Sequence, residues 1–415
     1  MDLFKLTTTA LNHLSVQGYI EGRALYQPVS GVPWTAVERI RPTARLELNN
    51  RIRFTATTNI HFTQGRFLQG EFLNLIRNPI ESSLLPDLNG NTPSLEDVME
   101  DCAWTLDFER NETWNDRFSL PRLYLDLNRT EFDVRIGRQA INWGSSLFFN
   151  PTDVLAENLI DQPWQERKGA DAFKINRSLG ETGLMTTILA KTDENLWLAA
   201  IKAGALLKET NVYGILSASE NKFMGGLDIK GDREFGWWLE SSYSFLRSNP
   251  EGAQDHIVQM SLGVDYSFPI LNLLLTSFQI SFDSSGESPD YYNWTARHPR
   301  EIILPPCPEY NIYPPEAQPY RQTLGRWYGI SYLNIQMAEH ITINNAALLN
   351  LADGTGFVFP SLNYSGDSLS LNFGAQLLLG AEGEFSPSNQ SHSFGVNMSE
   401  LTPSWSALGW LRWNY

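Results

Sequence analysis

Trp405-Ser406-Ala407-Leu408-Gly409-Trp410-Leu411-Arg412-Trp413-Asn414-Tyr415 is the stretch on which the fold turns. Trp405, Ala407, Gly409, Leu411, Trp413 and Tyr415 fall on one face of an extended chain, because successive side chains of a strand point to opposite sides. The same period of two recurs upstream. In 51–63, Ile52, Phe54, Ala56, Ile60 and Phe62 oppose Arg51, Arg53, Thr55, Thr57, Asn59 and His61. Val258, Met260, Leu262, Val264, Tyr266 and Phe268 oppose Gln259, Ser261, Gly263, Asp265 and Ser267. Leu369, Leu371, Phe373, Ala375, Leu377 and Leu379 likewise oppose Ser370, Asn372, Gly374 and Gln376. Segments of roughly ten alternating residues are the pattern of strands that cross a bilayer.

A sandwich in water also alternates, so the connections have to separate the two cases. Strands are expected near 13–27, 37–49, 51–63, 117–129, 131–141, 170–178, 182–190, 195–207, 211–218, 222–230, 235–246, 256–268, 271–283, 325–338, 341–351, 356–365, 369–381 and 404–415. Every second connection is then very short, as at Asn49-Asn50-Arg51, Asn128-Arg129-Thr130, 178–181, Pro269-Ile270 and 365–368. The long ones, 64–116, 142–169, 284–324 and 382–403, fall together at the other end. Short turns at one end and long loops at the other describe a closed transmembrane antiparallel β-barrel spanning 1–415 as one domain. The expected count is about eighteen strands, with sixteen as the alternative if 195–207 and 211–218 merge. An even count places both termini in the periplasm.

Composition agrees. Aromatic residues make up 12% of the 415 residues and charged residues 19%, and no run approaches the length of an apolar membrane helix. The N-terminus has no basic region leading into an apolar one, so no signal peptide is expected and an exported chain would be a processed one. A net charge of −16 argues against nucleic acid as a partner. Cys102 and Cys307 lack metal spacing. Six histidines also show no metal-ligand spacing, and no G-x-S-x-G elbow occurs, so no metal, no cofactor and no enzyme activity is expected.

The final strand resembles the C-terminal recognition strand of Gram-negative outer-membrane barrels, in which Trp405, Leu411, Trp413 and Tyr415 would form the assembly signal. Gly137-Arg138-Gln139-Ala140-Ile141-Asn142-Trp143-Gly144, followed by Asn150-Pro151-Thr152-Asp153, resembles a family of outer-membrane porin-like proteins with G-R-Q-x-x-x-W-G ahead of a long loop. The resemblance implies a barrel in the outer membrane. Its partners would be lipid and lipopolysaccharide, the barrel assembly machinery, and other copies of the chain if it is a homotrimer.

With the apolar faces turned to lipid, the lumen receives Arg23, Arg39, Arg41, Arg45, Arg53, Arg122 and Arg135 on one wall, and Ser, Asn and Gln on the other. Such arginines either guide anions, which guanidinium binds bidentately, or stiffen the wall by pairing with lumen carboxylates. Strict alternation sends Arg138 to lipid, and a bulge at Gly137 is expected to turn it inward as a further pore-lining residue. The loop after this motif either folds into the barrel as a constriction or lies over it as a lid. Asp153, Glu157, Asp161 and Glu166 are its candidate pore-facing acids, and 154–160 a candidate helical turn. The acidic connection 64–116 is read as a solvated face, with calcium binding as the alternative. Cys102 and Cys307 both fall in loops of the outer side, where a disulfide joining them is expected.

The function that follows is diffusion of small hydrophilic solutes, anions included, past a loop constriction and an arginine-lined wall. The alternative is a sheath around a multihaem cytochrome supplied by a partner, since the chain has no C-x-x-C-H of its own.

Overall fold

Alternation of this strength specifies strands, and the computed structural model forms eighteen of them. The structure describes residues 14–26, 34–64, 117–155, 169–192, 196–247, 255–270, 272–286, 288, 325–380, 384 and 405–415. In chain order the strands are β1 (Leu14–Tyr26), β2 (Trp34–Asn49), β3 (Ile52–Gln64), β4 (Arg117–Asn128), β5 (Phe132–Gln139) and β6 (Ala170–Leu179). Then follow β7 (Gly183–Lys191), β8 (Trp197–Leu207), β9 (Thr210–Ser219), β10 (Lys222–Asp232), β11 (Gly236–Leu246) and β12 (His256–Phe268). The last six are β13 (Leu273–Asp283), β14 (Trp327–Ala338), β15 (Ile341–Asn350), β16 (Gly356–Ser365), β17 (Leu369–Leu379) and β18 (Trp405–Asn414).

Each strand pairs antiparallel with its neighbours in sequence, and β18 pairs with β1 to close the ring. Closure removes sheet edges, so every strand has partners on both sides, as a membrane interior demands. The sixteen-strand alternative falls because β8 and β9 are separate strands. Lys208, at φ 58° in the left-handed region, turns the chain between them.

The two faces of the wall are chemically distinct. On β12, Met260, Leu262 and Val264 are exposed outward, while Ser261 is buried on the inner face beside Ser281 and Gln279 of β13. Thr55, Thr57 and Asn59 of β3 are buried inward, and Phe54 is exposed outward. Exposed apolar side chains cover the outside of most strands, far more than a water-facing surface carries. Aromatic residues ring both ends of this apolar band: Tyr26, Trp197, Tyr243, Trp327 and Trp405 at the long-connection end, and Phe132, Tyr266, Tyr364, Trp413 and Tyr415 at the short-turn end. Two such girdles mark the two interfaces of a bilayer.

The closing seam is built by the stretch quoted first. Tyr415 exchanges both backbone hydrogen bonds with Gly18, at 3.0 and 3.1 Å. Its ring lies where a Gly18 side chain would stand: a Cβ there would meet the hydroxyl at 2.7 Å. Gly18 thus makes room for the last aromatic residue to cover the seam.

Candidate functional site: an inserted segment facing an arginine cluster

The first part of the connection after β5, residues 140–155, turns into the barrel. Residues 140–155 make their contacts with inward-facing side chains of strands far along the ring, so the lid reading is replaced by insertion. The Ser261 hydroxyl and the Gln279 amide donate to the Phe149 carbonyl at 3.0 and 3.3 Å, and Gln279 Oε1 accepts the Leu147 N–H at 2.7 Å. Ile141 and Trp143 pack with Ile188, Ala190, Ala200, Ile215 and Met224 on the inner faces of β7 to β10. Phe148 and Phe149 pack at the far end against Tyr328, Ile330, Leu348 and Phe357 on β14 to β16. Burial on two apolar patches of an otherwise polar lumen is what draws this stretch inward.

At its middle the segment meets carboxylates. Glu240 of β11 accepts the N–H groups of Ser145, Ser146 and Thr152 and the Thr152 hydroxyl. Asp228 of β10 accepts the Ser145 hydroxyl at 2.7 Å and the Lys202 ammonium at 2.7 Å. A second anchor lies near the mouth, where the Tyr328 hydroxyl donates to Glu384 at 2.6 Å while its ring stands 5.2 Å from that of Phe149.

The opposing wall, eight strands from β11 and nine from β10 round the ring, carries the arginines. Glu21 of β1, fully buried, accepts from Arg23 Nε at 2.5 Å, from Arg39 Nη2 at 2.7 Å, and from Arg412 Nε and Nη2 at 2.8 and 2.6 Å. Arg39 and Arg412 are its register partners on β2 and β18, so the group forms a single rung. The Tyr19 ring lies beside Arg39, Arg41 and Arg412, with guanidinium carbons 5.3, 5.9 and 4.2 Å from its centroid. Among the described residues, three guanidinium groups share this one carboxylate, which leaves positive charge in excess at the rung.

A second rung lies nearer the short-turn end. Glu47, Arg53, Asp126, Arg135 and Lys174 are successive register partners across β2 to β6. Arg53 pairs with Glu47 at 2.8 Å, and Arg135 grips Asp126 through two hydrogen bonds of 2.6 and 3.2 Å. Of the arginines expected in the lumen, Arg23, Arg39, Arg53 and Arg135 pair with carboxylates there, the arrangement that stiffens a wall. Arg45 stands in register with Ser15 and Thr55, and Arg122 donates to the Pro121 carbonyl at 2.7 Å.

Two expectations need correction. Gly137 does adopt a positive φ of 118°, yet the register passes through it without a shift, so Arg138 keeps the outward side of Ile136. There it forms a bidentate pair with Asp171 at 2.9 and 2.7 Å, which satisfies its charge outside the lumen. Asp153 is not open to a pore but buried, its Oδ1 accepting the Leu155 N–H at 3.3 Å. Glu157, Asp161, Glu166, Cys102, Cys307 and the acidic connection lie outside the described residues.

Arg412, Tyr19, Glu240, Asp228 and Lys202 were missed in the sequence. The alternation that puts Trp413 outward puts Arg412 inward, and this was the available signal. Glu240 sits in the Ser-rich inner face of β11 with no local cue to its role.

No family model matches the chain, and no curated protein is similar to it in sequence. Solved structures match along nearly the whole length. OccK5 (OpdH) of Pseudomonas aeruginosa superposes with a TM-score of 0.56 at 6% identity, covering 97% of this chain and 98% of that one. OccAB2 of Acinetobacter baumannii gives 0.56 at 9%, again over 97% and 98%. OccK2 (OpdF) of Pseudomonas aeruginosa, solved in complex with glucuronate, gives 0.54 at 8% over 97% and 98%. The fold is that of the Occ porins. At such identities the likeness is one of architecture, and the chemistry of the lumen rests on this chain's own residues.

Proposed function

We propose that the chain is an outer-membrane channel that passes small hydrophilic solutes, anions in particular, with its long connections outside the cell and both termini in the periplasm. The observation that carries this reading is the pairing, within one closed ring, of an inserted segment on one wall with a positively charged rung on the other. A barrel of this strand number leaves an aqueous lumen unless something fills it. The inserted segment narrows that lumen, and the surplus charge around Glu21 attracts carboxylates or phosphates into the gap. Tyr19 holds the guanidinium planes in place, so a passing anion meets fixed donors rather than mobile ones.

The likeness to channels rather than enzymes supports the same reading, as does the glucuronate bound by one of the similar proteins. A sheath for a cytochrome is not favoured, because the chain spends part of its lumen on its own residues 140–155. Swelling of liposomes that contain the purified chain tests the proposal. A sugar acid of glucuronate size is expected to enter faster than a neutral sugar of the same size. No swelling with either solute would refute it.

A further inference from the structure

We propose that Glu240 is the positioning residue that latches the inserted segment, and that Gly144 is the residue that lets it do so. The inference rests on the channel reading only for its consequence; the latch itself stands on geometry. Glu240 Oε1 takes the successive N–H groups of Ser145 and Ser146, the latter at 2.5 Å. Oε2 takes the Thr152 hydroxyl at 2.8 Å and the Thr152 N–H at 3.4 Å. A carboxylate is an acceptor on both oxygens, so it can take donors from two ends of one loop at the same time. Successive N–H groups turned to one point form a concavity that suits an anion.

Among the described residues no ion pair reaches Glu240, and its side chain has no exposure. The segment's own amides are therefore its counter-charge. A buried carboxylate that loses such donors pays a large desolvation cost, which ties its burial to the seated loop.

Gly144 explains the motif. Its φ of 101° is a conformation other residues rarely adopt. A Cβ there would stand 2.8 and 3.0 Å from the two Glu240 oxygens and 2.9 Å from Asn150 Oδ1. Trp-Gly at 143–144 is thus a root and a hinge: Trp143 packs into the inner apolar wall and Gly144 turns the next two amides onto the carboxylate. Asp228, neutralised by Lys202, adds a side-chain bond to Ser145. The contacts to Ser261 and Gln279 continue the path but hold a single carbonyl and a single amide.

Chymotrypsin digestion of the refolded full chain in detergent micelles, with cleavage mapped by mass spectrometry, reads the latch without requiring conduction. Cutting at Trp143, Leu147, Phe148 or Phe149 requires the segment to leave the wall, so its rate follows the opening equilibrium. Glu240→Ala is expected to speed cleavage there by roughly tenfold or more, Glu240→Gln by less, and Ser261→Ala hardly at all. Heat-shifted migration on a gel shows that the barrel is intact in each. If Glu240→Ala yields no intact barrel, Gly144→Ala takes its place, since it keeps the carboxylate and fills the space before it. An intact barrel as protected as the wild type in the variant that folds would overturn the latch. A protected segment in a chain that passes no solute would refute the channel reading and leave the latch standing.

Discussion

Glu21 holds three guanidinium groups at once, and its loss is expected to cost more than the loss of any one of them. Replacing a buried partner strands the remaining charges, an effect of about 3–5 kcal/mol. Glu21→Gln should therefore lower the temperature at which the folded gel band converts to the unfolded one, while Arg23→Gln, which still leaves Glu21 two partners, should lower it less. Equal shifts would mean that Glu21 is not the hub. Arg39 and Arg138 make a sharper pair. Arg39→Gln is expected to reduce anion preference in reversal potentials, and Arg138→Gln to leave it unchanged, because Arg138 faces outward and is paired with Asp171. A loss of preference in Arg138→Gln alone would reverse the assignment. At this scale the sequence showed faces but not partners. Alternation puts Arg39 on the same face as Glu21's register position, yet Glu21 and Arg412 lie 391 residues apart, and only ring closure brings them to one rung.

Strands and turns were the most legible elements, since a period of two and a cluster of turn residues are local properties. All eighteen strands lie within a few residues of their expected ranges, and the doubtful pair β8 and β9 was settled by one left-handed residue, Lys208. The inserted segment was not legible in the same way. A lid and a constriction draw on the same residues, and what decides between them is the company of Glu240, Gln279 and Tyr328, each on a different strand. Gly137 misled for a related reason: a positive φ accompanies bulges but does not require one, and here the ladder stays in step. At the closing seam, Tyr415→Ala keeps the backbone bonds to Gly18 and removes the ring that covers it. The cost is expected to be about 1 kcal/mol, below the worth of a fully buried large side chain because Tyr415 is half exposed, seen as a lower urea midpoint of the folded band. An unchanged midpoint would show that the ring contributes nothing to closure.

Across the whole molecule, charge is arranged rather than merely summed. The chain is acidic overall, at −16, but among the described residues Arg23, Arg39 and Arg412 gather around Glu21 on one stave of the lumen, opposite the segment that Glu240 and Asp228 hold. Apolar residues and two aromatic girdles fit the outside to lipid, and polar residues fit the inside to water. These features together support the proposed passage, an aqueous lumen narrowed by the chain itself. Single-channel recording in planar bilayers with the purified, folded chain tests that claim most directly. Discrete ohmic currents are expected, growing in Glu240→Ala, where the segment is free to leave the lumen; bilayers that stay electrically silent with an intact barrel inserted would contradict it.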